Sequence, residues 1–206
     1  MTIYFELITN KKDRLYSIYK MDNKIQIQHK SFHEMENKDK ALLRKTYEES
    51  FPHNERRDFL LLSNLAKEEK RFQISGLYKE EDYVGFISRW DFDSFLYIEH
   101  FAIEASLRNH KIGFTALKQF VETQDKPIIL EVEMPYNELS ERRIGFYKRM
   151  GFVLDNHIYF QPPYHKTDGW FEMRLMSYGK IDLEESFGDI RDCLYKNVYS
   201  VVGVTK

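Results

Sequence analysis

The stretch LYIEHFAIEASLRNHKIGFTALKQF, residues 96–120, predicts the centre of the fold. It opens with aromatic and β-branched residues from Tyr97 to Ile103, without Gly or Pro, which is typical of a strand. A polar segment, residues 104–111, separates this strand from a helical stripe formed by Ile112, Leu117, Phe120 and Val121. A short turn from strand to helix leaves several backbone N–H groups free at the positive end of the helix. Such groups can bind phosphate.

The turn is also basic, because Arg108 and Lys111 lie in it. The periodicity alone is equally typical of an ordinary strand–helix unit with a basic turn. The residues LRNHKIG (107–113) resemble the acyl-CoA pyrophosphate loop of the GNAT superfamily of N-acyltransferases, whose pattern is Arg/Gln-x-x-Gly-x-Gly/Ala. Arg108 fills the first position and Gly113 the last, whereas Lys111 stands where the first glycine is expected. Its side chain would either crowd the pyrophosphate or bind it through the ammonium group.

The composition is that of a folded domain without a basic surface. The 206 residues fit one domain with appendages, and 42% apolar residues are ample for a core. The net charge of −2, with both signs interspersed, argues against a basic nucleic-acid-binding surface. The single cysteine, Cys193, excludes an internal disulfide and is too few for a cysteine-based zinc site. The seven histidines are scattered, so we expect no metal.

The chain has no predicted membrane segment. No apolar run approaches the ~20 residues that span a bilayer, and the short apolar run at the N-terminus contains Glu6, unlike a signal peptide. We therefore expect a soluble cytoplasmic protein with no membrane or nucleic-acid partner. The predicted organisation is an N-terminal extension over 1–21, since Met21 offers an alternative start, a domain over 22–178, and a C-terminal amphipathic helix over 179–206 packed on or beside it.

The remaining patterns predict a mixed α/β (α+β) fold. Strand patterns occupy residues 24–28, 71–78, 83–90, 95–103, 127–134, 153–160 and 170–177. Helical patterns occupy residues 35–51, the segment from 59 onward with Asn54 as its N-cap, residues 112–123, 140–150 and the segment from 183 onward. Short acidic turns make the middle three strands an antiparallel meander. The order predicts a central sheet, partly antiparallel and partly parallel, flanked by helices.

This order is also that of the GNAT fold, and a second motif strengthens the resemblance. RRIGFYKRMGF (142–152) looks like the superfamily's helix with a Phe-Tyr pair followed by Gly-Phe. Three further segments resemble a group of small bacterial GNAT proteins whose substrates are mostly unassigned: FPHNER (51–56), LEVEMP (130–135) and QPPY (161–164). The resemblance covers about residues 22–178. It implies an acetyl-CoA-dependent N-acetyltransferase that acts on a small-molecule or peptide amine.

The resemblance also implies where acetyl-CoA binds. The backbone of the strand near residues 101–104 would pair with the pantetheine arm and polarise the thioester carbonyl, and the N–H groups of residues 109–113 would hold the pyrophosphate. The implied cofactor-binding residues are Phe101, Ala102, Ile103, Arg108, Asn109, His110, Lys111, Ile112 and Gly113.

Transfer to an amine needs a base for the ammonium and an acid for the departing thiolate. Tyr147 matches the tyrosine that sits near the CoA sulfur in many GNAT enzymes, although a packing aromatic explains it too. For the base we prefer Glu99, which strict alternation places on the same strand face as Phe101 and Ile103, with His100 opposite.

Glu131 and Glu133 share one face of the next strand, and they are rivals for the base unless they pair with Arg142 or Arg143. A water-mediated base is a further alternative. The acceptor is expected between the 51–59 turn, the central strands and the 161–169 loop, near His53, Glu55, Arg56, Trp90, Tyr159 and Tyr164. Two other functions fit the sequence: an inactive acyl-CoA-binding or regulatory module, and a structural protein whose C-terminal helix docks on a second subunit in a homodimer.

Overall fold

The structure is a computed structural model that describes residues 25–201. The described chain forms one sheet of eight strands and five α-helices. In chain order these are β1 (Ile27–Ser31), α1 (Asn37–Ser50), α2 (Phe59–Glu68), β2 (Phe72–Lys79), β3 (Asp82–Asp91), β4 (Leu96–Ile103), α3 (Ile112–Glu122), β5 (Ile128–Glu133), α4 (Glu138–Arg149), β6 (Val153–Leu154), β7 (Tyr159–Gln161), β8 (Phe171–Tyr178) and α5 (Leu183–Asn197). Short 3₁₀ turns occupy His53–Glu55 and Ala105–Leu107.

The sheet is mostly antiparallel. Its order is β1-β2-β3-β4-β5-β8-β6, and β7 also pairs with β8. Strands β1 to β4 form the predicted antiparallel meander, β4 and β5 are parallel, and β8 is antiparallel to its neighbours. The predicted α/β class with a mixed sheet is therefore confirmed.

The two faces of the sheet carry separate cores. On one face, the apolar sides of α1, α2 and α5 pack over the sheet, and the fully buried members include Leu43, Leu62 and Leu194. On the other face, α3 and α4 pack over β4 and β5 through residues such as Leu117 and Ile144. Each helix buries one stripe, as its 3.6-residue periodicity requires.

Two local predictions were wrong. Asn54 does not cap α2, because residues 53–55 form a 3₁₀ turn after Pro52 and the helix starts only at Phe59, with Asp58 as its N-cap. The predicted strand 153–160 is broken into β6 and β7. Asp155 accepts a hydrogen bond from the backbone N–H of His157 at 2.6 Å, which bends the chain between the two short strands.

The predicted C-terminal helix corresponds to α5. Its stripe, Leu183, Phe187, Ile190, Leu194 and Val198, is buried. The proposed N-terminal extension, residues 1–21, lies outside the described residues. No helix within 25–201 combines the length and apolar character needed to cross a membrane.

Candidate active site

An opening separates the second halves of β4 and β5. The two strands are paired only through Leu96–Ile128, Tyr97–Ile129 and Ile98–Leu130. Beyond Ile98, β4 continues to pair with β3 as far as Ile103, and β5 continues to pair with β8 as far as Glu133. The edges that face each other across the opening therefore carry backbone N–H and C=O groups that are not paired across it.

A β-bulge marks the start of this opening. Ser88 pairs with His100 and Arg89 pairs with Ile98, so Glu99 is the extra residue in β4. The Glu99 side chain is 0% exposed. Because the residue as a whole is partly exposed, its exposed atoms belong to the main chain. The bulge thus presents backbone groups where β4 leaves β5.

The bulge also makes the expected alternation along β4 wrong. Glu99 and His100 lie on the same face, since the Tyr164 hydroxyl donates to Glu99 at 2.9 Å and the Tyr164 ring centroid lies 6.0 Å from His100. Phe101 and Ile103 belong to the opposite core, beneath α3. One inserted residue shifts every later side chain to the other face, and single-strand periodicity does not reveal the insertion.

The turn between β4 and α3 presents an uncapped helix N-terminus. Lys111 is the N-cap residue with φ of 63°, and no side chain caps this helix. In contrast, Asn137 and Ser140 form a capping box at the start of α4. Residues 109–111, which include His110, are exposed, and Asn109 also has a positive φ of 66°. The first N–H groups of α3 are therefore available to an anion.

Arg108 and Gly113 fix the shape of this turn. The Arg108 guanidinium donates to the carbonyl of Ile103 at 3.0 Å and to the Ser50 hydroxyl at 2.8 Å, so it ties the turn to the end of β4. A Cβ on Gly113 would lie 3.1 Å from Cγ1 of Ile103, so glycine allows α3 to approach β4 closely. The side chains of Ala102, Ile103 and Ile112 are buried. These three residues can offer a ligand their backbone.

Tyr147 lies on α4, which covers the face of the sheet opposite to the Glu99 side chain. Its half-buried ring packs against Phe146, with centroids 5.3 Å apart, and against Phe152 at 5.7 Å. Burial raises the pKa of Tyr147 to about 12, so its hydroxyl keeps its proton at neutral pH. Tyr147 therefore packs against its aromatic neighbours and also keeps a hydroxyl proton that it can donate.

Glu99 is held in a buried ion pair. Arg57 donates to its carboxylate, and the side chain of Arg57 is only 14% exposed. Trp90 and Tyr164 each donate a further hydrogen bond at 2.9 Å. An adjacent guanidinium favours the ionised form of a carboxylate.

Glu131 is held by neutral donors. The Tyr159 hydroxyl donates to Oε1 of Glu131 at 2.5 Å, and the Tyr199 hydroxyl donates to Oε2 at 2.8 Å. The side-chain amide of Gln161 also donates to Oε2. Burial raises the pKa of Glu131, and these donors oppose that rise without cancelling it. Its neighbour Glu133 is different, since it forms a half-exposed ion pair with Arg143 at 2.6 Å.

The residues expected around the acceptor divide into buried and exposed groups. Trp90 and Tyr159 are 2% and 0% exposed, and they act as donors to the two carboxylates. His53 is exposed, and Glu55 and Arg56 are half-buried at the rim. Burial, followed by the nearby Glu133 carboxylate, raises the pKa of Glu55.

His53 and His165, which are distant in the sequence, lie next to each other in the structure. Possible ligand atoms of His53, Asp58 and His165 lie within 4.8 Å of one another. The two imidazole rings are stacked, with centroids 4.1 Å apart and an interplanar angle of 9°. Their in-plane lone pairs therefore lie in parallel planes and do not converge on one point. His165 Nε2 is also within 3.0 Å of the carbonyls of His53 and Arg56, which suits a structural link between the 161–169 loop and the 53–56 turn.

Sequence reasoning missed three members of the site: Arg57, Gln161 and Tyr199. Arg57 directly follows the FPHNER segment, and Gln161 is the first residue of QPPY, so the resemblance pointed to the right neighbourhood for both. Tyr199 had no such signal. It lies after α5 and reaches Glu131 across 68 residues of chain.

Comparison with known proteins shows to which family the chain belongs. The sequence model described as the acetyltransferase (GNAT) family matches residues 31–152. A solved structure of a GNAT-family protein from Bacteroides thetaiotaomicron is 36% identical, with a TM-score of 0.81, over 86% of this chain and 99% of that chain. None of the curated proteins compared with the chain matches it.

Two more distant structures share the fold. The ribosomal-protein-S18-alanine N-acetyltransferase from Escherichia coli is 16% identical, with a TM-score of 0.51, over 74% of this chain and 92% of that chain. An aminoglycoside 6′-N-acetyltransferase complexed with coenzyme A is 15% identical, with a TM-score of 0.55, over 76% of this chain and 99% of that chain.

Proposed function

Because this chain belongs to the GNAT acetyltransferase family and is an acyl-CoA-dependent N-acetyltransferase, we propose that it moves an acetyl group from acetyl-CoA to a primary amine of a small molecule or peptide by direct attack on the thioester. The observation that carries the proposal is the opening between β4 and β5, which begins at two carboxylates and lies beside an uncapped helix N-terminus.

The cofactor binds in three parts. The first N–H groups of α3 hold the pyrophosphate, with the Lys111 ammonium beside them. Arg108 keeps this turn attached to the end of β4. The pantetheine arm enters the opening and pairs with the backbone of residues 101–104, and the thioester lies near the Glu99 bulge.

For the base we choose Glu131 over Glu99 and Glu133. Glu99 is paired with the buried Arg57 and Glu133 with Arg143, so each of these carboxylates is already engaged by a guanidinium. Glu131 has neutral donors and a raised pKa, so its proton affinity is better matched to removing a proton near neutral pH.

The acid and the base act from opposite faces of the sheet. Glu131 takes one proton from the acceptor ammonium, and the neutral amine attacks the thioester carbon. As the C–N bond forms and the C–S bond breaks, Tyr147 gives its proton to the CoA sulfur. The second proton of the nitrogen restores Tyr147, and Glu131 releases its proton to solvent. The products are the N-acetyl amide and CoA.

The test begins with binding and continues with turnover. Acetyl-CoA at a hundredfold excess over Kd should stabilise the protein by about 2.7 kcal/mol and raise its Tm. Gly113→Val should lose most of this ligand-induced shift, because the added branches push α3 away from Ile103. Gly188→Val is the control, since a Cβ at this position of α5 meets nothing within 4 Å.

Turnover over a panel of small amines and peptide N-termini then separates the enzyme from a binding module. We expect CoA release that depends on one class of amine and that is lost in Tyr147→Phe. Acetyl-CoA binding without turnover of any amine would instead support the regulatory alternative. An unchanged Tm at millimolar acetyl-CoA would contradict both.

A further inference from the structure

The segment that follows α5 reaches into the site from outside the family-matched residues 31–152. The helix ends in a left-handed turn, with Ser200 at φ of 57°. The N–H of Tyr199 donates to the Leu194 carbonyl at 3.2 Å, and that of Val201 donates to the Tyr195 carbonyl at 2.8 Å. A non-glycine residue in this conformation is strained and needs support from its surroundings. The support comes from contacts that this segment makes with the sheet.

These contacts converge on Tyr199. Its hydroxyl donates to Glu131 at 2.8 Å, accepts from the Gln161 amide at 2.9 Å and lies 3.2 Å from the Tyr97 hydroxyl. Its ring packs against Tyr164 with centroids 5.4 Å apart. One phenol therefore links β4, β5, β7 and the 161–169 loop.

The same segment also contacts the other carboxylate's partner. The backbone carbonyl of Val198 accepts a hydrogen bond from Arg57, the residue that pairs with Glu99. Two successive residues after α5 thus connect to both carboxylates that flank the opening. Tyr199 donates to Glu131 directly, and Val198 accepts from Arg57, the partner of Glu99.

We propose that Tyr199 is a positioning residue for the transfer reaction, which holds the Glu131 carboxylate in the orientation and proton affinity that the base requires. The proposal rests on the proposed function, in which Glu131 is the base. It gives the C-terminal segment a role in the reaction: the residues directly after α5 supply one donor to the base from outside the family-matched segment.

The groups around Glu131 determine what a titration will report. They are phenols from several elements: Tyr97, Tyr159, Tyr164, Tyr195 and Tyr199. The Arg57–Glu99 pair lies beyond Tyr164. All the phenols are raised in pKa and stay neutral near pH 7, so they do not titrate together with the Glu131 carboxyl group. The Tyr199 hydroxyl lowers the pKa of Glu131, and its loss should raise it.

Tyr199→Phe tests this role with little change in packing. A hydrogen bond to a carboxylate is worth about one pKa unit, so both the titration of Glu131 and the acid limb of kcat/KM should move up by about one pH unit. We expect kcat at neutral pH to fall several-fold with KM for acetyl-CoA unchanged. The titration is read by NMR with carboxyl-labelled glutamate, assigned through Glu131→Gln, and needs no acceptor. The rate profile uses the best amine from the panel.

Tyr195→Phe is the matched control. It removes a nearby phenol that lies within α5, four residues before Tyr199, and whose hydroxyl donates to the Phe160 carbonyl at 2.6 Å and not to Glu131. We expect it to leave both the Glu131 titration and the acid limb where they are in the parent.

The outcomes separate this inference from the proposed function. Upward shifts of both readouts in Tyr199→Phe support the inference. An unmoved Glu131 titration in Tyr199→Phe overturns it, as does an acid limb that stays in place while Glu131→Gln abolishes that limb. If Glu131→Gln keeps the parental limb, Glu131 is not the base, and the proposed mechanism fails together with the inference.

Discussion

The opening between β4 and β5 has two sides that are built differently. On the α3 side, the groups offered to a ligand are backbone N–H groups, ordered by a turn in which Asn109 and Lys111 have positive φ. On the α5 side they are side chains, the carboxylates of Glu99 and Glu131, each held by three donors. The first arrangement is local in sequence. The second joins residues as far as 68 positions apart.

This difference predicts what each side tolerates. A backbone site should survive most side-chain changes that keep the turn, because the amides remain in place. A site built from buried carboxylates should suffer from the loss of a single donor or cation, because the remaining charge stays desolvated. The following variants test this contrast.

The largest effect is expected where the chemistry itself is removed. Tyr147→Phe keeps the ring that packs on Phe146 and Phe152 but deletes the acid. We expect kcat to fall by roughly 10²–10⁴-fold with little change in KM for acetyl-CoA. Tyr178→Phe, which also packs on Phe152, is the control and should retain activity. Full kcat in Tyr147→Phe with chemistry rate-limiting would refute the assignment.

Arg57→Met should show how strongly the α5 side depends on a buried partner. It leaves the fully buried Glu99 carboxylate without its cation, and breaking such a pair costs about 3–5 kcal/mol of unfolding free energy. Arg143→Met removes the partner of Glu133 from a pair that is 46% and 39% exposed, and should cost at most about 1 kcal/mol. Chemical denaturation measures both. Equal losses would mean that burial does not distinguish the two pairs.

His100, on the α5 side, makes the free energy of unfolding depend on pH. It is 3% exposed, and burial lowers its pKa to about 3, with nearby Arg57 and Arg56 acting in the same direction. Because the unfolded histidine titrates near 6.5, the stability that His100 contributes is complete above that pH. It is lost as pH falls toward 3, by about 1.4 kcal/mol per pH unit.

The measurement compares unfolding free energies of parent and His100→Gln between pH 7 and pH 4. The advantage of the parent should shrink as pH falls. His33→Gln, at an exposed histidine, controls for the loss of an imidazole. Parallel curves for the parent and His100→Gln would contradict the buried neutral histidine.

The same contrast explains which features could be predicted from the sequence. The segments 107–113 and 142–152 were recognisable because a turn and a helix are encoded by adjacent residues, and the family match and element order agree with them. The bulge at Glu99 was not recognisable, since it exists only through the register with β3. The contact of Tyr199 with Glu131 depends on the packing of α5, which no local pattern contains.

The smallest effect is expected at Lys111, on the backbone side. A left-handed non-glycine residue costs roughly 1–2 kcal/mol, and glycine relieves this cost but adds unfolded-state entropy of about 0.5–1 kcal/mol. Lys111→Gly should therefore be neutral or raise Tm by a few degrees, whereas Lys111→Ala keeps the strain and should not. Both variants remove the ammonium and should weaken acetyl-CoA binding only a few-fold at low salt, with the difference fading at high salt. Calorimetry of acetyl-CoA binding and of unfolding at two salt concentrations separates the effect of the Lys111 charge from that of its backbone strain. Tighter binding by both variants would show that Lys111 crowds the pyrophosphate, and the turn would then bind through its amides alone.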